Sequence, residues 1–379
     1  MRNLVFLALV GCGRIGFDPV GGANADANAA NACVRKIVAH ARFTCAIVRD
    51  GSVWCTGAGG GDQLGDGRGA DSAVPVRTGT LTGITQIALG SIDGYALDTA
   101  GNVWGWGANN RYQLGDGTTT TATVPKMIFT GAVDIQAGES HACARTAAGD
   151  VYCWGWNAQG EVGNNSTADQ PTPVLVQSGV SSLKAGGRRT VTIAANAKLW
   201  CWGWNANGQC GDGTLADHLV PTQIGNIGAA EVQIAGRYGC SRDDTGGVSC
   251  WGSDDHGEAG DGATTPVLAP TLVGVPRVAS LYRSGGRRQC VRTFAGEVWC
   301  WGETFYGELG PGHPSAGTEP PTHHPELDTM TGISTASTHT CAIDSTGIAQ
   351  CAGENTSGEL GDGTTASRTA FAPAQFPCP

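Results

Sequence analysis

Short runs of alternating apolar and polar residues recur along this chain, and glycine cuts each one off before it reaches the length of a helix. One stretch shows the unit. Val133-Asp134-Ile135-Gln136-Ala137 alternates at period two, Gly138 breaks it, and His141-Ala142-Cys143-Ala144-Arg145 resumes it. Ala148-Gly149 is a hairpin turn into Val151-Tyr152-Cys153-Trp154-Gly155-Trp156. After the loop Asn157-Ala158-Gln159-Gly160, Pro173-Val174-Leu175-Val176 reads as a fourth strand, edge-like because it tolerates proline. Four such strands make an antiparallel sheet, and no other segment sustains a helical period.

The unit occurs seven times. Its ruler is a Leu-Gly-Asp-Gly phrase, running from Leu64-Gly65-Asp66-Gly67 to Leu360-Gly361-Asp362-Gly363, with variants such as Val162-Gly163-Asn164-Asn165. Successive first glycines lie 50, 48, 48, 49, 50 and 51 residues apart. Such a period in a chain with 60 glycines predicts an all-β fold: a seven-bladed β-propeller of four-stranded antiparallel blades, one closed ring over residues 33–379.

The residues before the ring read differently. Arg2 precedes the apolar run from Leu4 to Val10, then Gly11 and Cys12, which predicts a secretion signal over residues 1–11. Leu9-Val10-Gly11-Cys12 resembles a bacterial lipobox, in which Cys12 would carry the lipid; the alternative is an ordinary signal peptide with an incidental cysteine. By the same resemblance, Gly13 directs such a lipoprotein to an outer membrane. Residues 21–32 are low in complexity, and residues 12–32 read as a flexible tether. The expected location is therefore outside the cell, as an outer-membrane lipoprotein or a secreted protein, with the membrane reached only through the lipid. A monomer is expected.

Fifteen cysteines suit an oxidising compartment if they are spaced to pair. Cys45 and Cys55, Cys143 and Cys153, Cys240 and Cys250, Cys290 and Cys300, and Cys341 and Cys351 are each ten apart across the same hairpin. A three-residue loop such as Arg49-Asp50-Gly51 sets them directly opposite, where Cα atoms lie about 4.5 Å apart, within disulfide reach. The second repeat loses both positions together, as Tyr95 and Gly105. Cys33 opens the ring and Cys378 ends it, so a bridge between them is expected to seal it. Cys201 faces Val191, and its pairing with Cys210 stays open. The eleven tryptophans, Trp156 and Trp204 among them, all read as third-strand residues, which favours packing between blades over a sugar-binding platform.

The phrases Ala137-Gly138, His141-Ala142-Cys143-Ala144, Gly149-Asp150-Val151-Tyr152-Cys153-Trp154-Gly155 and Gly361-Asp362-Gly363 resemble the repeats of the regulator of chromosome condensation family over about residues 34–376. The resemblance implies a seven-bladed propeller. It says little of function, because the family spans a nuclear nucleotide-exchange factor, secreted β-lactamase inhibitors and many unassigned bacterial proteins.

Few residues in the chain point to chemistry. A net charge of −10 opposes nucleic-acid binding, and no phosphate loop, nucleophile elbow or zinc-protease motif occurs. Asp66, Asp116, Asp212, Asp261 and Asp362 suit tight turns better than calcium. His313, His323 and His324 lie in a proline-rich excursion that reads as a surface loop. No cofactor, metal or catalytic set is implied, and the chain is not expected to be an enzyme. One departure from the repeat stands out: Arg42, Arg188, Arg237 and Arg287 share a position three residues before each second-strand cysteine position, and Arg189 and Arg288 follow two of them. These six are expected to form a basic arc on one rim, suited to carboxylate or phosphate. The expected function is a non-catalytic recognition or scaffold module that binds a protein or an anionic surface polymer. The alternatives are an inhibitor of a secreted enzyme such as a β-lactamase, and a hydrolase or lyase acting on cell-surface polymers.

Overall fold

The computed structural model describes residues 34–310 and 317–378. Seven sheets follow one another, spanning residues 34–77, 84–129, 132–177, 180–228, 231–272, 278–323 and 330–373, here called blades one to seven. Each blade is one contiguous stretch whose strands pair antiparallel in chain order. In blade three they are Ala132–Ala137, His141–Thr146, Val151–Gly155 and Gln170–Gln177, within a few residues of the pattern read from the sequence. Among the described residues the only helical element is a single 3-10 turn, Pro325–Leu327.

The first strands of successive blades lie side by side around a central channel. Blades one and seven are neighbours: Val34 N donates to Gly347 O (3.1 Å), and Gly363 N donates to Ala73 O (2.9 Å). Thr56 Oγ1 adds a bond to Gly358 O (2.7 Å). The ring is closed. One blade departs from the pattern: the first strand of blade six breaks after Val278–Leu281, and Arg283–Ser284 pairs in parallel with Ser334 and Thr335 of blade seven.

Large rings fill the wedges between blades. Trp106, Trp154, Trp202, Trp251 and Trp301 are fully buried. Four of them donate Nε1 to a carbonyl of the preceding blade: Gln63, Gln113, Gln209 and Glu258, at 2.8, 2.8, 2.8 and 2.9 Å. Glycine makes this fit. At Gly115 (φ +66°) a Cβ would sit 2.5 Å from Trp154 Cδ1, inside contact distance.

The five hairpin disulfides are present, each joining residues directly paired in register with Cα atoms 4.1 Å apart. Cys201 and Cys210 are also bonded, across 5.6 Å. Val191 faces Cys201 in blade four, and the following loop supplies the thiol that the hairpin lacks. Cys378 is disulfide-bonded, whereas its expected partner Cys33 lies outside the described residues. So do Cys12, the expected signal and tether, and His313.

Candidate functional site

In each blade the end of the first strand, the start of the second and the end of the third meet on one face of the ring. The Gly-Gly-Arg-Arg phrases sit there, with the first arginine in the turn and the second at the start of the strand. That boundary splits each arginine pair. Arg189 and Arg288 begin their second strands and turn into the joint with the next blade. Arg189 is fully buried, donating to Gly236 O (3.1 Å) and Tyr238 O, and burial holds its guanidinium down to about 9. Arg288 donates to Ala336 O (2.9 Å), Ser337 O (3.1 Å) and Glu303 O (3.0 Å) and pairs with the buried Glu308 carboxylate. His141 and His339 occupy the same register and bond Thr190 and Thr44 of the next blade, at 3.0 and 2.8 Å. This position is therefore an inter-blade clamp, and Arg189 and Arg288 do not belong to the rim surface as the sequence suggested.

Arg188, Arg237 and Arg287 do converge. With His40, Ser91, Glu139, Trp204 and Ser337 they line a cavity of about 340 Å³ at the channel mouth. Arg42 does not line it; its exposed side chain leans on blade seven, 3.1 Å from Thr356 Oγ1 and 3.8 Å from Glu359.

Counter-charges distinguish the three. Each blade carries a buried Gln or Glu just before its Leu-Gly-Asp-Gly phrase, which accepts from a backbone N–H two residues earlier, as Glu161 Oε2 does from Gln159 N (2.8 Å). Where this residue is an acid, a cation comes near. Burial pushes Glu161 up to about 7, while Arg188 pulls the other way. Arg188 also pairs with Glu139 at 3.0 Å. Arg287 sits 3.4 Å from Glu303 and 3.2 Å from His256, and its charge opposes the upward push of burial on Glu258. Arg237 faces blade four, whose corresponding residue is Gln209. Its side chain is exposed and, among the described residues, makes no hydrogen bond or ion pair.

The sequence reading missed the aromatic half of this rim. Trp156 and Trp204 fall one residue past their third strands, after glycines at φ +102° and +103°, and are only half-buried. The Arg188 guanidinium lies 4.5 Å from the Trp156 ring and 5.7 Å from Trp204. Arg111 and Arg237 extend the row, 5.9 Å from Trp156 and 5.8 Å from Trp204. Arginine and tryptophan thus alternate from blade two to blade five. Beyond them the His256 ring meets Phe305 edge-on at 6.0 Å, and Phe305 and Tyr306 are 43% and 46% exposed. The signal was in the repeat: the residue after the third-strand glycine is Ala58, Ala108, Trp156, Trp204, Ser253, Glu303 and Glu354.

The turn aspartates act as turn residues. Burial works against ionised Asp116, yet hydrogen bonds from Lys126, Thr118 and Asn109 hold its carboxyl at about 2. Among the described residues no three His, Cys, Asp or Glu side chains assemble as a metal set.

Residues 100–145, 148–194 and 196–236 match the family model described as Regulator of chromosome condensation (RCC1) repeat, and residues 132–161 match a second model of that description. Comparison with curated proteins gives no significant match. Solved structures share the fold. Human WBSCR16 superposes with a TM-score of 0.74 at 20% identity, covering 88% of this chain and 93% of its own. Yeast RCC1 (Prp20) bound to Kap60 gives 0.76 at 18% identity, covering 98% and 91%. Prp20p from Saccharomyces cerevisiae, described with its binding to Gsp1p and histones, gives 0.75 at 19% identity, covering 94% and 90%.

Proposed function

We propose that this chain, a seven-bladed propeller carrying regulator of chromosome condensation repeats, is a non-catalytic recognition module that takes an acidic protein surface on its Arg–Trp rim. The observation that carries this reading is Arg237: an exposed guanidinium on a tryptophan ring, without a counter-charge, between two arginines that have theirs. Tryptophan and arginine are the side chains that most often dominate binding energy at protein interfaces. The cavity they line can take an acidic side chain of a partner, and Arg237 can meet its carboxylate bidentately. The fold supports the reading. Yeast RCC1 (Prp20) was solved bound to Kap60, and Prp20p binds Gsp1p and histones. The lipobox-like segment and the cysteine pairing support display outside a bacterial cell, where the partner would be met.

The test is affinity capture from the native envelope fraction with the intact protein and with a variant carrying Arg188→Glu, Arg237→Glu and Arg287→Glu. The wild type should retain one partner at defined stoichiometry, and the variant, folded by circular dichroism, should lose it. With the captured partner in hand, Arg237→Ala alone should weaken binding by about 2 kcal/mol, roughly thirty-fold in Kd. Equal capture by the triple variant would refute the rim as the binding surface.

A further inference from the structure

Below the mouth the channel narrows to a second cavity of about 60 Å³, which shares His40, Gly187, Gly236 and Gly285 with the one above. Its wall is rich in donors without acceptors. Lys184 of blade four and Arg283 of blade six both line it, and neither makes a hydrogen bond or ion pair with any described residue. His40 Nδ1 is buried without a partner. Burial, with the nearby Arg283 charge, holds His40 near 3, so its ring is neutral.

The acids facing the channel are engaged elsewhere. Asp134 accepts from Gln86 and Gln136, at 2.8 and 2.9 Å, and eases the Lys184 and Arg283 charges without touching either. Glu231 pairs with Arg242 (3.3 Å) and accepts from Leu281 N (3.1 Å). With Glu231 paired to Arg242, Asp134 is the carboxylate whose charge reaches both Lys184 and Arg283, and the wall they line is left net positive. Both side chains are half-buried in the channel wall, where a cation without a partner is less well solvated than at an open surface. Water can satisfy these donors but cannot neutralise the charge.

We infer that the channel holds a binding site for one small monovalent anion, of the halide or nitrate class, between Lys184 and Arg283. Asp134 nearby disfavours a more highly charged anion. The volume sets the size: it admits an ion with a few waters, since one water needs about 10–15 Å³ measured this way, and it lies far below the roughly 300 Å³ of an organic ligand pocket. The repeat itself supplies variants that the fold accepts. Lys184 and Arg283 both lie seven residues before the second-strand cysteine position, where the neighbouring blades carry Gln136 and Gln233.

Thermal unfolding of the whole protein at fixed ionic strength, in bromide, nitrate or gluconate, tests the site. Gluconate is too large to enter. The wild type should unfold about 2 °C or more higher in bromide and nitrate than in gluconate, and Lys184→Gln and Arg283→Ala should each abolish that gap. Crystals grown in bromide should show an anomalous peak between the two side chains. Equal midpoints in all three salts, a gap that persists in both variants, or a map empty at this position would overturn the inference.

Discussion

Replacing Arg288 with methionine removes charge and donors while roughly keeping the buried volume, so it isolates the clamp between blades six and seven. Three carbonyl oxygens, of Glu303, Ala336 and Ser337, lose their donor, and Glu308, fully buried, loses its cation. Breaking a buried pair from one side costs about 3–5 kcal/mol, and we expect about 4 kcal/mol at pH 8. The cost should depend on pH in a defined sense. Burial already pushes the Glu308 carboxyl up, and Arg288 is the group that opposes it. Without Arg288 the native state holds the Glu308 proton more tightly than the unfolded chain does, so the variant loses stability as pH rises above the unfolded carboxylate range. At pH 5 the expected cost falls to about 2 kcal/mol. Adding Glu308→Gln should recover part of the loss. Arg237→Met, which removes no hydrogen bond or ion pair to a described residue, should lie within about 0.5 kcal/mol of wild type. The assay is urea unfolding followed by tryptophan fluorescence without reductant, at both pH values. Equal midpoints for Arg288→Met and Arg237→Met, or a cost for Arg288→Met independent of pH, would refute the division of each Arg-Arg pair into clamp and rim.

Two further outcomes follow from the same geometry. Burial pushes the Asp93 carboxyl up to about 7 despite the hydrogen bond from Tyr95, so native stability should fall between about pH 4 and 7 as the unfolded chain ionises first. Asp93→Asn should flatten that segment of a stability–pH profile and raise stability by about 2 kcal/mol at pH 8, with little change at pH 4. Removing the blade-three disulfide with Cys143→Ala and Cys153→Ala should cost about 3 kcal/mol in chemical unfolding, because the bond closes a short loop in the unfolded chain.

What the sequence disclosed depended on how local each rule is. Hairpin geometry is local, so the ten-residue spacing located Cys45 opposite Cys55 without any tertiary information. Cys210 lies in a loop whose path depends on the blade around it, so its bond to Cys201 stayed open until the fold was known. Arg188 closes a turn and Arg189 opens a strand, and reading the two as one patch passed over the boundary between them. Trp156 and Trp204 were grouped with the packed rings by counting them into the third strand, although that strand ends one residue earlier. The channel cations share a repeat position, seven residues before the second-strand cysteine position, but lie two blades apart, and only the closed ring shows that both reach one cavity.

The contiguity of each blade has a further consequence. No strand is lent across the junction of residues 330–373 with residues 34–77, so that junction is held by side-by-side contacts and not by shared backbone. The order in which the seven sectors are strung is then a matter of covalent linkage alone. A permuted chain that starts at Val180, ends at Gln177 and joins the old ends by a flexible linker should assemble the same wheel, with its spokes and axle unchanged.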